Sequence, residues 1–463
     1  MKTFFALLLL SVSAFAAKPN IIVIFVDNFG NGDLGCFGSK LHRTPHVDRL
    51  AAEGTKFTSF YVASGVCTPS RASLLTGCYP RRVGMHVSDT GGAVLQPVAL
   101  KGLNPSEVTL AEVLKSVGYA TACIGKWHLG DQLEFLPTRQ GFDDFFGIPY
   151  SDDMIKALKP DIWPELPLMR GEKVIEAPAD RDHLVQRCTQ EAVRFIEQHA
   201  AKPFFIYLPH TMPGSTQTPF SSENFHGKSA NGDYGDTVEE LDWSTGEIMA
   251  VLQRLKLTDN TLIVWTSDNG AVKRNPPQGS NAPYRGSGYD TSEGAMRMPC
   301  IMRWPGKIPA GAVNDALCST MDLLPTFASL VGAKLPPNKL DGHDITSILF
   351  DAKNTASPWD KDGFFYYRMD QLQAVRAGDW KLYLPLVGKF KNLSPKREPT
   401  KLALFDVRHD VGEDHEVSAQ HPEVVQRLTQ LAEKARADIG DSDRRGAGQR
   451  EAGMVEKAVP LLP

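Results

Sequence analysis

The chain has 463 residues, 42% of them hydrophobic, and a formal net charge of -4. This is ordinary globular composition, with apolar material for one large core and a smaller appended unit. The near-balanced charge argues against a nucleic-acid surface, so an anionic ligand must be met by local cations.

The N-terminus reads as an export signal. Lys2 is the charged start, residues 4–10 are the apolar region and Ala14-Phe15-Ala16 is a small-x-small cleavage site. A signal peptide over residues 1–17 is expected, and with it a secreted or periplasmic protein. No cysteine follows the cleavage site to carry a lipid, and no later apolar run is long enough to span a bilayer, so no membrane anchor is expected. Residues 21–26 form the first of four short apolar runs; the others are 120–124, 204–208 and 262–265. Such runs suit strands buried on both faces. Helical patterns alternate with them over residues 44–54, 110–118, 182–199 and 236–257. The alternation predicts an α/β fold with a doubly wound, mostly parallel sheet.

Residues 65–77 read as a loop turning into a short helix. Thr68 is placed to cap it, Pro69 suits its first position and Gly77 its end. Cys67 then stands just outside a helix N-terminus, where backbone N–H groups favour an anion and depress a thiol pKa. Arg71 lies one turn in and can reach back towards the same point.

Beyond about residue 350 the texture changes to short strand-like pieces over 364–367, 374–376, 380–383 and 402–406, then a helix over 422–437. This predicts a small antiparallel sheet with one helix. The expected domains are residues 18–350, a catalytic α/β unit, and 351–440, a small α+β subdomain. The tail, 441–463, is rich in glycine and charge and is expected to be loosely ordered. Seven cysteines are spaced sparsely, without a C-x-x-C pair, which argues against a thiolate zinc site and leaves disulfides and buried thiols both open.

Each strand-like run ends in polar residues: Asp27-Asn28, then Lys126 and His128, then His210, then Asp268-Asn269. In open α/β sheets, ligands bind beyond the carboxyl ends of the strands, so these groups are expected on one rim. Asp27, Asn28, Asp268 and Asn269 offer only oxygen donors, two of them carboxylates, a set that suits a hard cation such as Ca²⁺. Asp-Asn at one strand end makes turns readily; the pair occurring at two strand ends favours the metal. Asp33, nearby, reads as structural. Lys126 and His128 are two apart, and in an extended segment both point to one side.

Cys67-Thr68-Pro69-Ser70-Arg71, with Leu74-Leu75-Thr76-Gly77 after it, resembles the signature of the sulfatases, a family within the alkaline-phosphatase-like superfamily. The likeness extends to Asp27-Asn28, to Gly125-Lys126-Trp127-His128-Leu129-Gly130 and to Ser267-Asp268-Asn269-Gly270, and covers most of the chain. It implies that Cys67 is oxidised to formylglycine by a formylglycine-generating enzyme, and that the hydrated aldehyde attacks sulfur. A divalent ion, Ca²⁺ in preference to Mg²⁺, is then held by Asp27, Asn28, Asp268, Asn269 and residue 67. Arg71 and Lys126 steady the charged nucleophile, and His128 takes a proton as the sulfated adduct collapses. Two positions depart from the family pattern. Gly214 stands where a histidine is expected, leaving the nearby His210 as a candidate, and Gly288 stands where a lysine is expected. Lys228, Lys273, Arg274, Arg285 and His226 are the cations available to compensate. The implied activity is hydrolysis of sulfate esters of a carbohydrate, with sulfated galactose or N-acetylgalactosamine favoured. The alternatives are a phosphate or phosphonate ester hydrolase on the same scaffold, and a non-catalytic glycan-binding relative.

Overall fold

The computed structural model describes residues 18–386 and 400–462, so the expected signal peptide lies outside the described residues. Four strands form the centre of the large sheet: β1 (Asn20–Asp27), β2 (Ala120–Lys126), β3 (Phe204–Pro213) and β4 (Thr261–Ser267). Each grows out of one of the four apolar runs. They are parallel and ordered β4-β1-β3-β2, with Ile21 opposite both Phe205 and Leu262.

The two-residue period of a strand explains why these runs are continuously apolar. Ile21, Val23 and Phe25 of β1 enter a core shared with helix α1 (Cys67–Thr76). Ile22, Ile24 and Val26 enter a second core, shared with α2 (Leu184–Gln198) and α3 (Gly232–Arg254). Both faces of the sheet are covered, so no position along the run can be polar without cost. Antiparallel strands flank this parallel centre. Arg297–Arg303 lies between β4 and Thr55–Tyr61, and a hairpin of Leu168–Arg170 and Lys173–Glu176 closes the other edge.

The C-terminal sheet has four antiparallel strands, Phe364–Arg368, Gln371–Ala377, Trp380–Tyr383 and Ala403–Asp406. The helix Pro422–Asp438 packs on it. Its core continues into Tyr61, Val62 and Met296 of the large unit, so the two sheets share apolar contacts.

The tail from Asp441 differs from expectation: it is tied down. Arg450 donates to both oxygens of the buried Glu107 at 2.6 and 2.8 Å. Gly453–Met454 pairs with Lys101–Gly102, and Gln132 accepts from the Val459 N–H at 2.8 Å. Glycine and charge read as solvent-facing only until a distant buried carboxylate supplies the partner.

Candidate active site

Parallel register brings the strand ends to one rim. Asp27 ends β1, Lys126 ends β2, and Asp268-Asn269 follow β4. The chain turns sharply there. Asn28, His128 and Tyr289 have φ of 60°, 62° and 81°, left-handed values that cost non-glycine residues about 1–3 kcal/mol each and persist only where the surroundings over-determine them. For the same reason the expected alternation does not orient Lys126 and His128: the strand stops at Lys126 and His128 is left-handed.

A buried charge cluster occupies the rim. Arg71 Nη2 donates to Asp27 Oδ1 at 2.7 Å and to Asp268 Oδ2 at 2.6 Å, and its Nη1 donates to the Lys126 carbonyl at 3.0 Å. Lys126 Nζ donates to Asp27 Oδ1 at 2.8 Å and to Ser151 Oγ at 3.0 Å. The Asn28 N–H donates to Asp268 Oδ1 at 3.0 Å, and Asn269 Nδ2 donates to Asn28 Oδ1 at 2.6 Å. Asp27, Asn28, Arg71, Lys126, Asp268 and Asn269 have no exposed surface. Cys67 Sγ lies 3.8 Å from Asn269 Oδ1.

Helix α1 starts two residues earlier than its sequence suggests. Cys67 is its first residue, and the cap position is Val66. Thr68 instead accepts from the Leu95 N–H at 3.3 Å. Pro69 remains in the first turn, where its missing N–H costs nothing. Gly77 ends the helix at φ 65°, as expected.

The electrostatics correct one expectation and sharpen another. Burial, then the charges of Asp268 and Asp27, push the Cys67 thiol well above its usual range; Lys126 and Arg71 oppose this without winning. The helix terminus therefore does not make a thiolate here. Burial also pushes Asp27 up, but Lys126 and Arg71 outweigh it and hold this carboxyl below the usual range. Asp268 is raised by burial and by the adjacent Asp27. His128 is driven well below its usual value by burial and then by Lys126, so its ring is neutral. Its Nε2 lies 3.0 Å from the Leu95 carbonyl, which can only accept, so the proton is on Nε2. Nδ1 is left as a buried lone pair without a partner among the described residues, a ready proton acceptor.

His210 is not brought to the cluster. It is buried on the α2–α3 side, with Nε2 at 3.1 Å from Ser244 Oγ of α3. Burial pushes it down to about 3. A catalytic proton donor would cost about 100-fold or more when removed. His210→Asn is instead expected to keep kcat/KM within about threefold of the parent, measured by sulfate release; a hundredfold loss would return His210 to the site.

Asp33 is structural as expected, accepting from Tyr234 Oη at 2.6 Å and the Ser280 N–H at 2.9 Å. Of the compensating cations, Arg274 reaches the site loop, donating from Nη2 to the Gly214 carbonyl and from Nε to the Thr216 carbonyl at 2.9 Å. Arg285 is turned away to Asp414. Sequence reasoning missed Ser151, Asp152, Ser215 and Tyr289. Asp152 Oδ1 fills the space a side chain at Gly214 would take, 3.0 Å from its Cβ position, and has no partner among the described residues. Ser215 and Tyr289 each directly follow one of the two glycines that depart from the expected pattern, which is the signal that could have found them.

Oxygens of Asp27 and Asp268 and the Cys67 sulfur all lie within 4.8 Å of one another. With the amide oxygens of Asn28 and Asn269 alongside, this is a donor set that fits a hard divalent cation. Two cations already balance the two carboxylates, so such an ion would leave the cluster net positive, as an anionic ester requires.

A family model described as Sulfatase matches residues 19–333, and a second, described as N-sulphoglucosamine sulphohydrolase, C-terminal, matches residues 289–438. The chain is 38% identical to N-acetylgalactosamine-6-sulfatase of Canis lupus familiaris, over 81% of this chain and 74% of that protein. It is 36% identical to arylsulfatase A of Homo sapiens, over 90% of this chain and 88% of that protein. The crystal structure of Ps i-CgsB in complex with k-i-k-neocarrahexaose is similar at a TM-score of 0.75 and 29% identity, covering 93% of this chain and 95% of that one.

Proposed function

The chain belongs to the sulfatase family and is a sulfuric ester hydrolase, and from that premise we propose that it is exported and removes sulfate from a sulfated glycan, of galactose or N-acetylgalactosamine type. The observation that carries this is the meeting of Cys67 with Asp27 and Asp268 within 4.8 Å, over a base formed by Arg71 and Lys126. Burial and the neighbouring carboxylates push the Cys67 thiol up, and a protonated thiol is a poor nucleophile. Formylglycine at position 67, made by a formylglycine-generating enzyme, would supply a hydrated aldehyde as nucleophile, and Ca²⁺ held by Asp27, Asn28, Asp268 and Asn269 would supply positive charge beside it. Arg71 and Lys126, locked by the two carboxylates, hold fixed cations under residue 67 without reorganising. His128 Nδ1 accepts a proton from residue 67 as sulfate departs, and the Leu95 carbonyl keeps the ring in the tautomer that allows it. The sugar assignment draws on the named substrate of the N-acetylgalactosamine-6-sulfatases and on the saccharide bound by Ps i-CgsB. A cleft of about 600 Å³ lined by Lys273 and Tyr284 offers a cation and an aromatic face for such a chain. Export draws on residues 2–16 of the sequence; among the described residues no helix is long and apolar enough to cross a membrane.

A peptide mass spectrum covering position 67 tests the chemistry: an aldehyde is expected, and an intact thiol in active enzyme would overturn it. A panel of sulfated saccharides differing in sugar and linkage carbon tests the substrate, and matched phosphate esters should be cleaved more slowly. Chelation is expected to lower turnover about 100-fold or more, with the far-ultraviolet circular dichroism retained and activity restored by Ca²⁺. Full activity in chelator would remove the ion from the reaction.

A further inference from the structure

Two hydroxyls meet beside the cluster without belonging to its charged groups. Tyr289 Oη and Ser215 Oγ are 2.6 Å apart, and Ser215 Oγ accepts from Asn28 Nδ2 at 3.1 Å. Asn28 has no exposed surface, whereas Ser215 and Tyr289 are half-buried, so the pair stands between the cluster and solvent. The backbone of Tyr289 is tied to Gly65, two residues before Cys67, which sets the pair on the Cys67 side of the cluster.

Tyr289 is held there against its backbone preference. An aromatic residue at φ 81° is an outlier, and the segment around it is fastened on several sides. The Tyr289 N–H donates to the Gly65 carbonyl at 2.8 Å, and the Gly288 N–H to the Ala271 carbonyl at 3.0 Å. From the C-terminal sheet, Lys381 Nζ donates to the Thr291 carbonyl at 3.0 Å, and Gln373 Oε1 accepts from Thr291 Oγ1 at 2.8 Å. The loops after two glycines, Gly214 and Gly288, thus bring their next residues together.

The proton inventory then decides what the pair can do. It carries two O–H groups. One is spent on the mutual bond, and the Ser215 oxygen also accepts from Asn28. The other O–H has no acceptor among the described residues, whichever way the mutual bond runs.

We propose that the Tyr289–Ser215 pair donates this remaining O–H to a sulfuryl oxygen of the bound ester, as a neutral, preorganised clamp at the mouth of the site. The inference rests on the sulfatase reading and deepens it. A fixed neutral donor is held ready for charge that develops in the transition state. It also grips the dianionic product less than a cation would, because its attraction does not scale with a full unit charge.

The test uses the full-length mature enzyme, with Tyr289→Phe, Ser215→Ala and the double variant. Turnover of 4-nitrophenyl sulfate and calorimetric binding of inorganic sulfate are both measured. Each single change is expected to lower kcat/KM by about 10- to 100-fold and to weaken sulfate binding. The double variant should be no worse than the poorer single, since the two hydroxyls act as one donor unit. Tyr289→Phe keeps the ring and should unfold at the parental temperature. Parental kcat/KM and sulfate affinity in Tyr289→Phe would overturn the proposal, as would losses in the two singles that simply add. A lowered unfolding temperature with unchanged sulfate affinity would make Tyr289 merely structural and overturn it equally. A parent that released no sulfate from any ester would sink the activity reading instead, while calorimetry still decided on the pair.

Discussion

Replacing Cys67 with Ala is expected to lower sulfate release by at least about four orders of magnitude while leaving the fold and saccharide binding in place. The residue is buried at the first position of α1, and the change deletes one sulfur from a helix otherwise secured by Leu74, Leu75 and Ala72 in the core. The stability cost should therefore stay near about 1 kcal/mol. What is lost is the atom over the charge cluster. Arg71, Lys126 and the Asp27–Asp268 pair would still be organised, because their contacts to one another do not involve residue 67. Sulfate release and isothermal binding of a sulfated saccharide, measured on one preparation, separate the two effects. A residual rate near that of the parent would mean that another group attacks sulfur.

Arg71→Met should act mainly on stability. The guanidinium is wholly buried and bridges Asp27 and Asp268 at 2.7 and 2.6 Å. Burial alone would lower its pKa, but Asp268 and Asp27 hold it charged. Methionine matches much of its length and none of its charge, so two buried carboxylates would be left facing each other with Lys126 as their remaining cation. Breaking a buried pair in this way costs about 3–5 kcal/mol, and turnover should fall with it. Denaturant midpoints in chelator give the full loss. Added Ca²⁺ should recover part of it, because an ion that binds only the folded cluster stabilises by mass action and supplies the missing charge. An unchanged midpoint in chelator would show that the cluster is not strained by its own negative charge.

Much of this could be read from residues alone where the signal was local. The four apolar runs specified strands because both faces of the sheet are covered, and the polar residues at their ends specified the rim because parallel strands present their carboxyl ends together. His210 shows where such reading fails. It follows a strand-like run as Asp27 and Lys126 do, yet β3 continues past it to Pro213, which leaves it against α3 rather than at the rim. Thr68 fails for a related reason: its hydroxyl is claimed by the Leu95 N–H, a partner no local rule supplies.

By itself the sequence determined the fold class, the family and the residues of the charge cluster, since each is written in contiguous motifs or in strand periodicity. The tertiary structure alone decided the ionisation and the mouth of the site. Burial overrode the helix terminus at Cys67, and the Leu95 carbonyl set the tautomer of His128. Two loops more than seventy residues apart, followed through to a 2.6 Å contact, brought Ser215 to Tyr289. Desolvation and long-range contact depend on what surrounds a side chain in space, and neighbours along the chain do not encode that.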